Sequence, residues 1–230
     1  MVDWQAAQRH EAATWETRIS TSVALVLEEL ADSSGIQQFI SDHVGGYERA
    51  IDVGVGPLGV GWIGLFGHGD PGDLVGLDSL PRIRPDTGRE ELDAFLLSVQ
   101  ERITYVERRA EDSGLADQSF NLVVCDNVVD HVEDPGEMLR ACRRLVRRDG
   151  HLAFGVNVFS FVGYLKWNSW TRQRQPNAPN VVMHPHSFTE DSAVDLVRSC
   201  GWRIVAVQRG RPAQRLVGHS YRIYLMASAR

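Results

Sequence analysis

The chain has 230 residues, 43% of them hydrophobic, which is enough for one full core and an appendage. Its formal net charge of −6 and its pI near 5.7 disfavour a nucleic-acid binder, which usually presents a basic face. No apolar run approaches the ~20 residues that a membrane span requires, so we expect neither a nucleic-acid nor a membrane partner.

Three cysteines, an odd number without metal-ligand spacing, predict reduced thiols at Cys125, Cys142 and Cys200. The first residues are polar and acidic, which does not resemble a secretion signal. We therefore expect a cytoplasmic protein.

The predicted elements begin with helices and continue as alternating strands and helices. Apolar residues recur at helical spacing over residues 3–31, and a second helix is predicted at Ile36–His43. From Arg49 onward the alternation is typical of a parallel sheet covered on both faces. The predicted strands are Arg49–Val53, Asp73–Leu77, Ile103–Glu107, Phe120–Cys125, His151–Val156, Arg203–Gln208 and Ser220–Ala227, and the helices after the first two are Leu58–Phe66, Arg89–Gln100, Pro135–Val146 and Thr189–Cys200.

This order predicts an α/β fold with a doubly wound, mostly parallel sheet of seven strands and helices on both faces. The last two strands have no helix between them, so we expect an antiparallel strand at one edge. We predict an N-terminal helical cap over residues 1–46 and a Rossmann-like domain over 47–230. A long aromatic stretch at about 159–186 is predicted to be a substrate-side insertion.

The loop after the first strand carries the clearest functional signal. The run AIDVGVGPLG places Gly54, Gly56 and Gly59 between a buried strand and a helix, where a ligand can lie against bare backbone. Asp52 precedes them, and a carboxylate there would repel a pyrophosphate but attract a cation. The loop therefore favours S-adenosylmethionine, which is cationic and has no phosphate, as a cofactor.

The ends of the next strands offer further polar groups at the edge where ligands bind in such sheets. Asp78 follows the second strand and can accept both ribose hydroxyls. Ala110 and Glu111 follow the third and could read an adenine edge, although a solvated acidic loop would look the same. Asn127 follows the fourth strand, next to the expected reactive end of the cofactor.

The run AEDSGLADQSFNLVVCDNVVDHVEDPGEMLRACRRLVRRDGHLAF, together with Asp52–Gly59 and Asp78, resembles class I, Rossmann-like, S-adenosylmethionine-dependent methyltransferases of small molecules. The resemblance implies that Asp52 and the glycine loop hold the methionine end of the cofactor, Asp78 the ribose, and Ala110–Glu111 the adenine. Two positions depart from the pattern: Leu58 stands where the family often has its third glycine, and Arg109 replaces an acidic residue.

Three histidines are candidate general bases for deprotonating a methyl acceptor: His131, His184 and His186. His131 lies where related proteins often carry a histidine whatever their substrate, so a structural role is the competing interpretation. His184 and His186 border the aromatic insertion and could instead cap or pack. We expect no metal, because no third ligand with suitable spacing is evident.

The insertion supplies the candidate substrate-binding residues. Tyr164, Trp167 and Trp170 could hold a planar or apolar body, and Arg172 could bind an anionic group. The same aromatics could simply close the core of a lid, and the same arginine could be solvated.

The sequence therefore predicts a methyltransferase that moves a methyl group from S-adenosylmethionine to O or N of a small molecule by in-line displacement and leaves S-adenosylhomocysteine. Secondary metabolism is the expected setting, and the N-terminal helix could pair two copies as a homodimer. Two alternatives stay open. One is a non-catalytic cofactor-binding partner subunit, and the other an NAD(P)-dependent oxidoreductase, which shares the glycine spacing and Asp78.

Overall fold

The computed structural model describes residues 4–21, 23–70, 72–209 and 220–229. Two helices open the chain, α1 (Trp4–Thr21) and α2 (Val23–His43). The elements that follow are β1 (Ala50–Val53), α3 (Trp62–Phe66), β2 (Leu74–Asp78), α4 (Glu90–Glu101), β3 (Thr104–Glu107), β4 (Phe120–Asp126), α5 (Pro135–Leu145), β5 (Val146–Phe159), α6 (Phe161–Lys166), α7 (Arg172–Arg174), α8 (Pro179–Met183), β6 (Phe188–Thr189), α9 (Glu190–Ser199), β7 (Arg203–Arg209) and β8 (Ser220–Ser228).

The strands form one sheet in the order β3-β2-β1-β4-β5-β8-β7, with β6 paired to β5. Strands β1 to β5 pair in parallel, and β8 pairs antiparallel with both β5 and β7. The predicted fold class and its antiparallel edge are confirmed. The two-residue strand β6 is an addition to the seven predicted strands.

Side chains that alternate along the strands build a core on each face of the sheet. Ile51 and Val53 pack with helices α5 and α9 on one face, and Ala50 packs with α2 and α3 on the other. In α2, Ile36 and Phe39 are fully buried, so the second half of this helix belongs to the core of the sheet. The boundary at residue 46 stays a prediction.

Helix α3 begins later than predicted. We expected a helix from Leu58, but it starts at Trp62, because Gly59 has φ +64° and the chain is still turning there. Helices α5 and α9 begin at capped positions. Asp134 accepts hydrogen bonds from Gly136 N and Glu137 N at α5, and Thr189 forms a capping box with Ser192 at α9.

Strand β5 is longer than the predicted His151–Val156, running from Val146 to Phe159. Its C-terminal part is held in continuous register with β8, up to the pair Phe159 and Ser220. No helix in the described part of the chain is both long and apolar enough to cross a membrane.

Candidate active site

The glycine loop turns sharply at the carboxyl end of β1. Gly54, Gly56 and Gly59 have φ values of +78°, +75° and +64°, which residues with a side chain rarely adopt. A Cβ on Gly54 would lie 2.3 Å from a methyl group of Val128, and one on Gly56 would lie 3.2 Å from the ring of Trp15. Val128 and Trp15 therefore pack against the loop, and no side chain can be accommodated at Gly54 or Gly56 without a shift of these neighbours.

Asp52 is buried beneath this loop, with 3% of its surface exposed. Its Oδ2 accepts a hydrogen bond from Ile63 N at 3.1 Å, at the start of α3. The carboxylate thus ties β1 to the helix that follows the loop and also lines a cavity above it.

Asp78, at the carboxyl end of β2, holds the loop from the other side. Its Oδ2 accepts from Gly56 N and its Oδ1 from Leu80 N, both at 2.8 Å. Burial raises the pKa of Asp78 to about 6, against the lowering effect of these backbone hydrogen bonds. The carboxyl group therefore titrates close to neutral pH.

Two adjoining cavities of about 60 and 280 Å³ follow the carboxyl ends of the strands. The smaller cavity reaches Ala110 and Glu111, and the larger one reaches Asp52, Gly56 and Asn127. Residues that line both cavities are Glu11, Gly54, Asp78, Val128 and His131. Together the cavities form one cleft.

Seven of the eight predicted cofactor residues line this cleft; the exception is Gly59. Gly59 shapes the turn, and a Cβ there would lie 3.1 Å from Ile103. Glu111 forms an ion pair with Arg109 at 3.3 Å, and Arg109 also pairs with Glu133 at 2.9 Å. Arg109, which stands where the resembling family often has an acidic residue, therefore has its charge balanced by two acidic neighbours.

Asn127 sits at the end of β4 in a left-handed conformation, with φ +58°. Its Oδ1 accepts from Asn157 Nδ2, and its backbone N donates to Gly155 O, both at 2.9 Å. Asparagine tolerates this conformation better than most residues. The side chain is thus fixed by β5 where it borders the larger cavity.

An ion pair that the sequence analysis missed crosses the sheet beside Asn127. Asp126 on β4 and Arg222 on β8 are 2.6 Å apart, and both line the larger cavity. The strand between them, β5, presents Gly155, where a Cβ would lie 2.0 Å from Asp126 Oδ1. Sequence distance hides this pair, since only the sheet order brings β8 next to β5.

The three candidate histidines occupy different environments. His184 lines the larger cavity, and its Nδ1 is 2.8 Å from Asp130 Oδ2. His131 packs against it, with ring centroids 4.3 Å apart. His186 instead bonds through Nε2 to Val132 O at 2.9 Å.

Protonation in this cluster follows from burial and from the hydrogen bond. Burial would raise the pKa of Asp130, but the hydrogen bond with His184 and the nearby His131 outweigh it and bring the pKa below its ordinary value. Burial lowers the pKa of His131, although Asp130 opposes this effect. Asp130 is therefore an anion at neutral pH and His131 is uncharged.

Three potential metal ligands lie close together in the structure, although their spacing in the sequence did not indicate it. Asp130, His131 and His184 each place one ligand atom within 4.8 Å of the others. The short His184–Asp130 distance is that of a hydrogen bond, and we interpret the pair as a dyad. The absence of a metal stays a prediction.

The predicted substrate residues of the insertion do not line these two cavities. Trp167 stacks on Phe159 at 5.5 Å, and Trp170 is 55% exposed beneath Arg174. The main-chain carbonyl of Tyr164 accepts a hydrogen bond from Asn168 Nδ2 at 3.0 Å.

Arg172, also predicted to bind substrate, contacts the main chain beside the dyad. Its guanidinium donates to the carbonyl oxygens of Pro185 and His184, at 2.7 and 2.8 Å. These two bonds fix the backbone that carries the His184 imidazole. A substrate role for the four insertion residues stays a prediction.

Helix α1 roofs the cleft, which places functional side chains in the predicted cap. Trp4, Gln8, Glu11 and Trp15, spaced by about one turn each, line the two cavities. Trp4 lies under the Arg109 guanidinium at 4.5 Å. The sequence signal for this face is a pair of polar residues at helical spacing between two tryptophans, and the apolar spacing over residues 3–31 did not distinguish it from a packing face.

Part of the chain is similar to known methyltransferases. Residues 51–154 match the family model described as "Methyltransferase domain". A ubiquinone biosynthesis O-methyltransferase of Photobacterium profundum is 28% identical over 127 residues, which cover 51% of this chain and 48% of that protein. The chain thus spans about half the length of this relative.

Solved structures share the fold at low identity. The 1,6-didemethyltoxoflavin-N1-methyltransferase of Burkholderia thailandensis, solved with S-adenosylhomocysteine, has a TM-score of 0.56 and 17% identity, and the match covers 88% of this chain and 80% of that one. The N-methyltransferase NodS of Bradyrhizobium japonicum, also with S-adenosylhomocysteine, has a TM-score of 0.62 and 13% identity, over 95% and 98% of the two chains.

The fold and the cleft define a Rossmann-like α/β domain of the methyltransferase type. Residues 51–154 match a methyltransferase domain, and the chain shares the Rossmann-like fold of the solved methyltransferases described above.

Proposed function

We propose that the protein is an S-adenosylmethionine-dependent methyltransferase that acts on O or N of a small molecule. The observation that carries the proposal is the cleft itself. A bare glycine loop and two carboxyl groups, those of the buried Asp52 and the partly buried Asp78, meet at the carboxyl ends of β1 and β2. Such a lining disfavours a dinucleotide pyrophosphate and suits a cationic cofactor.

The residues present fit this cofactor. Gly54 and Gly56 line the cleft with bare backbone, and Val128 and Trp15 leave no room for a side chain at either position. We assign the methionine end to the larger cavity, with Asp52 and Asn127, and the ribose to Asp78. The smaller cavity, with Ala110 and Glu111, would then receive the adenine.

When bound, S-adenosylmethionine supplies a methyl group on a positively charged sulfur that an acceptor nucleophile can displace in line. In this chain, His184 would take the proton of the acceptor at Nε2, since Nδ1 faces Asp130. The ionised Asp130 fixes the imidazole in the tautomer with a proton on Nδ1 and stabilises the imidazolium that forms. Arg172 helps to position this imidazole, because its guanidinium donates a hydrogen bond to the main-chain carbonyl of His184.

The acceptor class follows from the cleft and from the relatives. A cavity of about 280 Å³ that also receives part of the cofactor leaves room for a small molecule. The relatives named above are O- and N-methyltransferases. The aromatic residues of the insertion remain candidates for contacting an acceptor that extends beyond the cavities.

Three further expectations complete the proposal. The three cysteines are free and buried, which supports a reducing compartment, and we propose the cytoplasm. We also propose an acceptor from secondary metabolism. Pairing as a homodimer stays a prediction, and sedimentation velocity tests it.

Calorimetry of the purified chain with S-adenosylmethionine, S-adenosylhomocysteine, NAD and NADP tests the cofactor. We expect micromolar binding of the first two only. Binding of a nicotinamide cofactor, or of none of the four, would contradict the proposal. Release of S-adenosylhomocysteine in the presence of phenols and primary amines then tests for turnover, and cofactor binding without any turnover would favour the partner-subunit alternative.

A further inference from the structure

Glu11 lies at the centre of the roof that α1 forms over the cleft. Gln8, one turn before it, accepts a hydrogen bond from Ser79 Oγ at 2.8 Å. Trp15, one turn after it, packs on Gly56. The helix is therefore fixed on both sides of Glu11, and the carboxyl group lines both cavities where they meet.

The surroundings of Glu11 are mostly acidic. Its Oε2 accepts from Gln8 Nε2 at 3.3 Å, and it forms no salt bridge within the part of the chain that the structure describes. Burial above all, with smaller contributions from Asp78 and Asp130, raises the pKa of Glu11 to about 7, and His184 opposes this shift. The junction of the cavities is thus predominantly acidic, with Glu11 and Asp78 lining both cavities, and it favours a cationic ligand.

The chemistry of the cofactor places a cation at this junction. Its sulfur joins the ribose to the methionine chain, so it belongs between the cavity of the adenosine end and that of the methionine end. Glu11 lines both. Before transfer that sulfur is a sulfonium and carries a positive charge; after transfer it is a neutral thioether.

We propose that Glu11 is a specificity-determining residue whose carboxylate makes the site prefer S-adenosylmethionine over S-adenosylhomocysteine. The inference rests on the proposed function and adds a residue and a role to it. During transfer a bond forms between the acceptor and the methyl carbon, and the S–CH₃ bond breaks with its electron pair going to sulfur. The acceptor proton goes to His184, and Glu11 loses the positive charge that faced it.

The two ligands make a sharp test, because they share every hydrogen-bonding group and differ by the methyl group and its charge. We would measure the Kd of each by calorimetry at about pH 8, one unit above the pKa of Glu11. The proteins compared are the unsubstituted chain, Glu11→Gln and the control Glu16→Gln, which changes an exposed carboxylate on the same helix.

We expect the unsubstituted chain and Glu16→Gln to prefer S-adenosylmethionine equally. Glu11→Gln should lower that preference by about tenfold, equivalent to about 1.4 kcal/mol. The ratio of the two Kd values is taken within one protein, so a loss of folded fraction cancels. If Glu11→Gln does not fold, the ratio of the two Kd values is measured in Glu11→Ala, for which we expect the same change.

An unchanged ratio in the Glu11 variants, with both ligands bound, would overturn the inference and leave the proposed function standing. An equal weakening of both ligands would do the same, since it would assign Glu11 to an uncharged part of the cofactor. If the unsubstituted chain bound neither ligand, the proposed function itself would fail.

Discussion

His184 and Asp130, 54 residues apart in the chain, are joined by a 2.8 Å hydrogen bond between the imidazole Nδ1 and the carboxylate Oδ2. The bond links the loop after β4 to the segment before β6. It leaves Nε2 as the ring nitrogen available to a ligand in the larger cavity.

Replacing His184 with Ala should reduce turnover by about 100-fold or more, because a positioned general base contributes at least this much. The Kd of S-adenosylmethionine should change little. The matched control is His186→Ala, whose imidazole bonds to a main-chain carbonyl outside the dyad. Steady-state rates with an acceptor identified among the phenols and primary amines measure turnover, and calorimetry measures the Kd of S-adenosylmethionine. Equal losses in the two variants would contradict a base role for His184.

Replacing Asp78 with Ala should weaken S-adenosylmethionine binding by tenfold or more, equivalent to at least about 1.4 kcal/mol. The variant loses the ribose acceptor and also the hydrogen bond that orders Gly56. Asp73→Ala is the control, since that exposed carboxylate only pairs with Arg49 at the start of β2. Calorimetry measures both, and an unchanged Kd in Asp78→Ala would remove this residue from the site.

Replacing Gly155 with Ala should destabilise the fold by roughly 2–3 kcal/mol. The new Cβ would overlap Asp126 Oδ1 and separate that carboxylate from Arg222. Urea denaturation gives the free energy of unfolding. Gly45→Ala should be nearly neutral, because nothing lies within 4 Å of its Cβ position. A Gly155→Ala protein as stable as the Gly45→Ala protein would show that the sheet adjusts freely at this point.

Glu11→Gln should make the ligand-free protein more stable at about pH 8, by roughly 2 kcal/mol. The folded pKa of about 7 lies above the ordinary value of 4.5, so the contribution of Glu11 to stability is complete below pH 4.5 and is lost as the pH rises through 7. Glutamine cannot ionise and avoids this loss. The two proteins should therefore be similar in stability at pH 4.5 and diverge above it.

Urea denaturation across this pH range measures the effect, with Glu16→Gln following the unsubstituted protein throughout. A Glu11→Gln protein less stable than the unsubstituted one at pH 8 would mean that the carboxylate has a favourable partner in the empty cleft.

The sheet could be predicted from the sequence because its signals are local. The strands are short apolar runs, and turn residues such as Gly54 and capping residues such as Thr189 sit beside the elements that they begin or end. The position of the cleft could also be predicted, since the carboxyl ends of parallel strands meet on one side of the sheet. Seven of the eight predicted cofactor residues line the cleft for that reason.

The contacts that could not be predicted from the sequence join segments that are far apart in the chain. Asp130 approaches His184, and Asp126 approaches Arg222, only because of the strand order and the path of the insertion. The start of α3 was misplaced because the helix propensity of Leu58 gives way to the left-handed backbone of Gly59. The two main-chain carbonyls that accept hydrogen bonds from Arg172 were likewise not evident from the sequence, and its predicted role in binding an anionic group stays a prediction.

Helix α1 also has a kinetic consequence. Its inner face lines the cleft from Trp4 to Trp15, so under the proposed function we expect this helix to move when spent cofactor is exchanged for fresh cofactor. Its attachments include one cation–π contact, one hydrogen bond to Ser79 and one ring on Gly56, each worth about 1 kcal/mol. We therefore expect the rate at which this helix moves to influence the turnover rate under the proposed function. Under the proposed function, exchanging residues 4–21 for another helix would change the release of product cofactor and, because Glu11 would be lost, also the preference between the two forms of the cofactor.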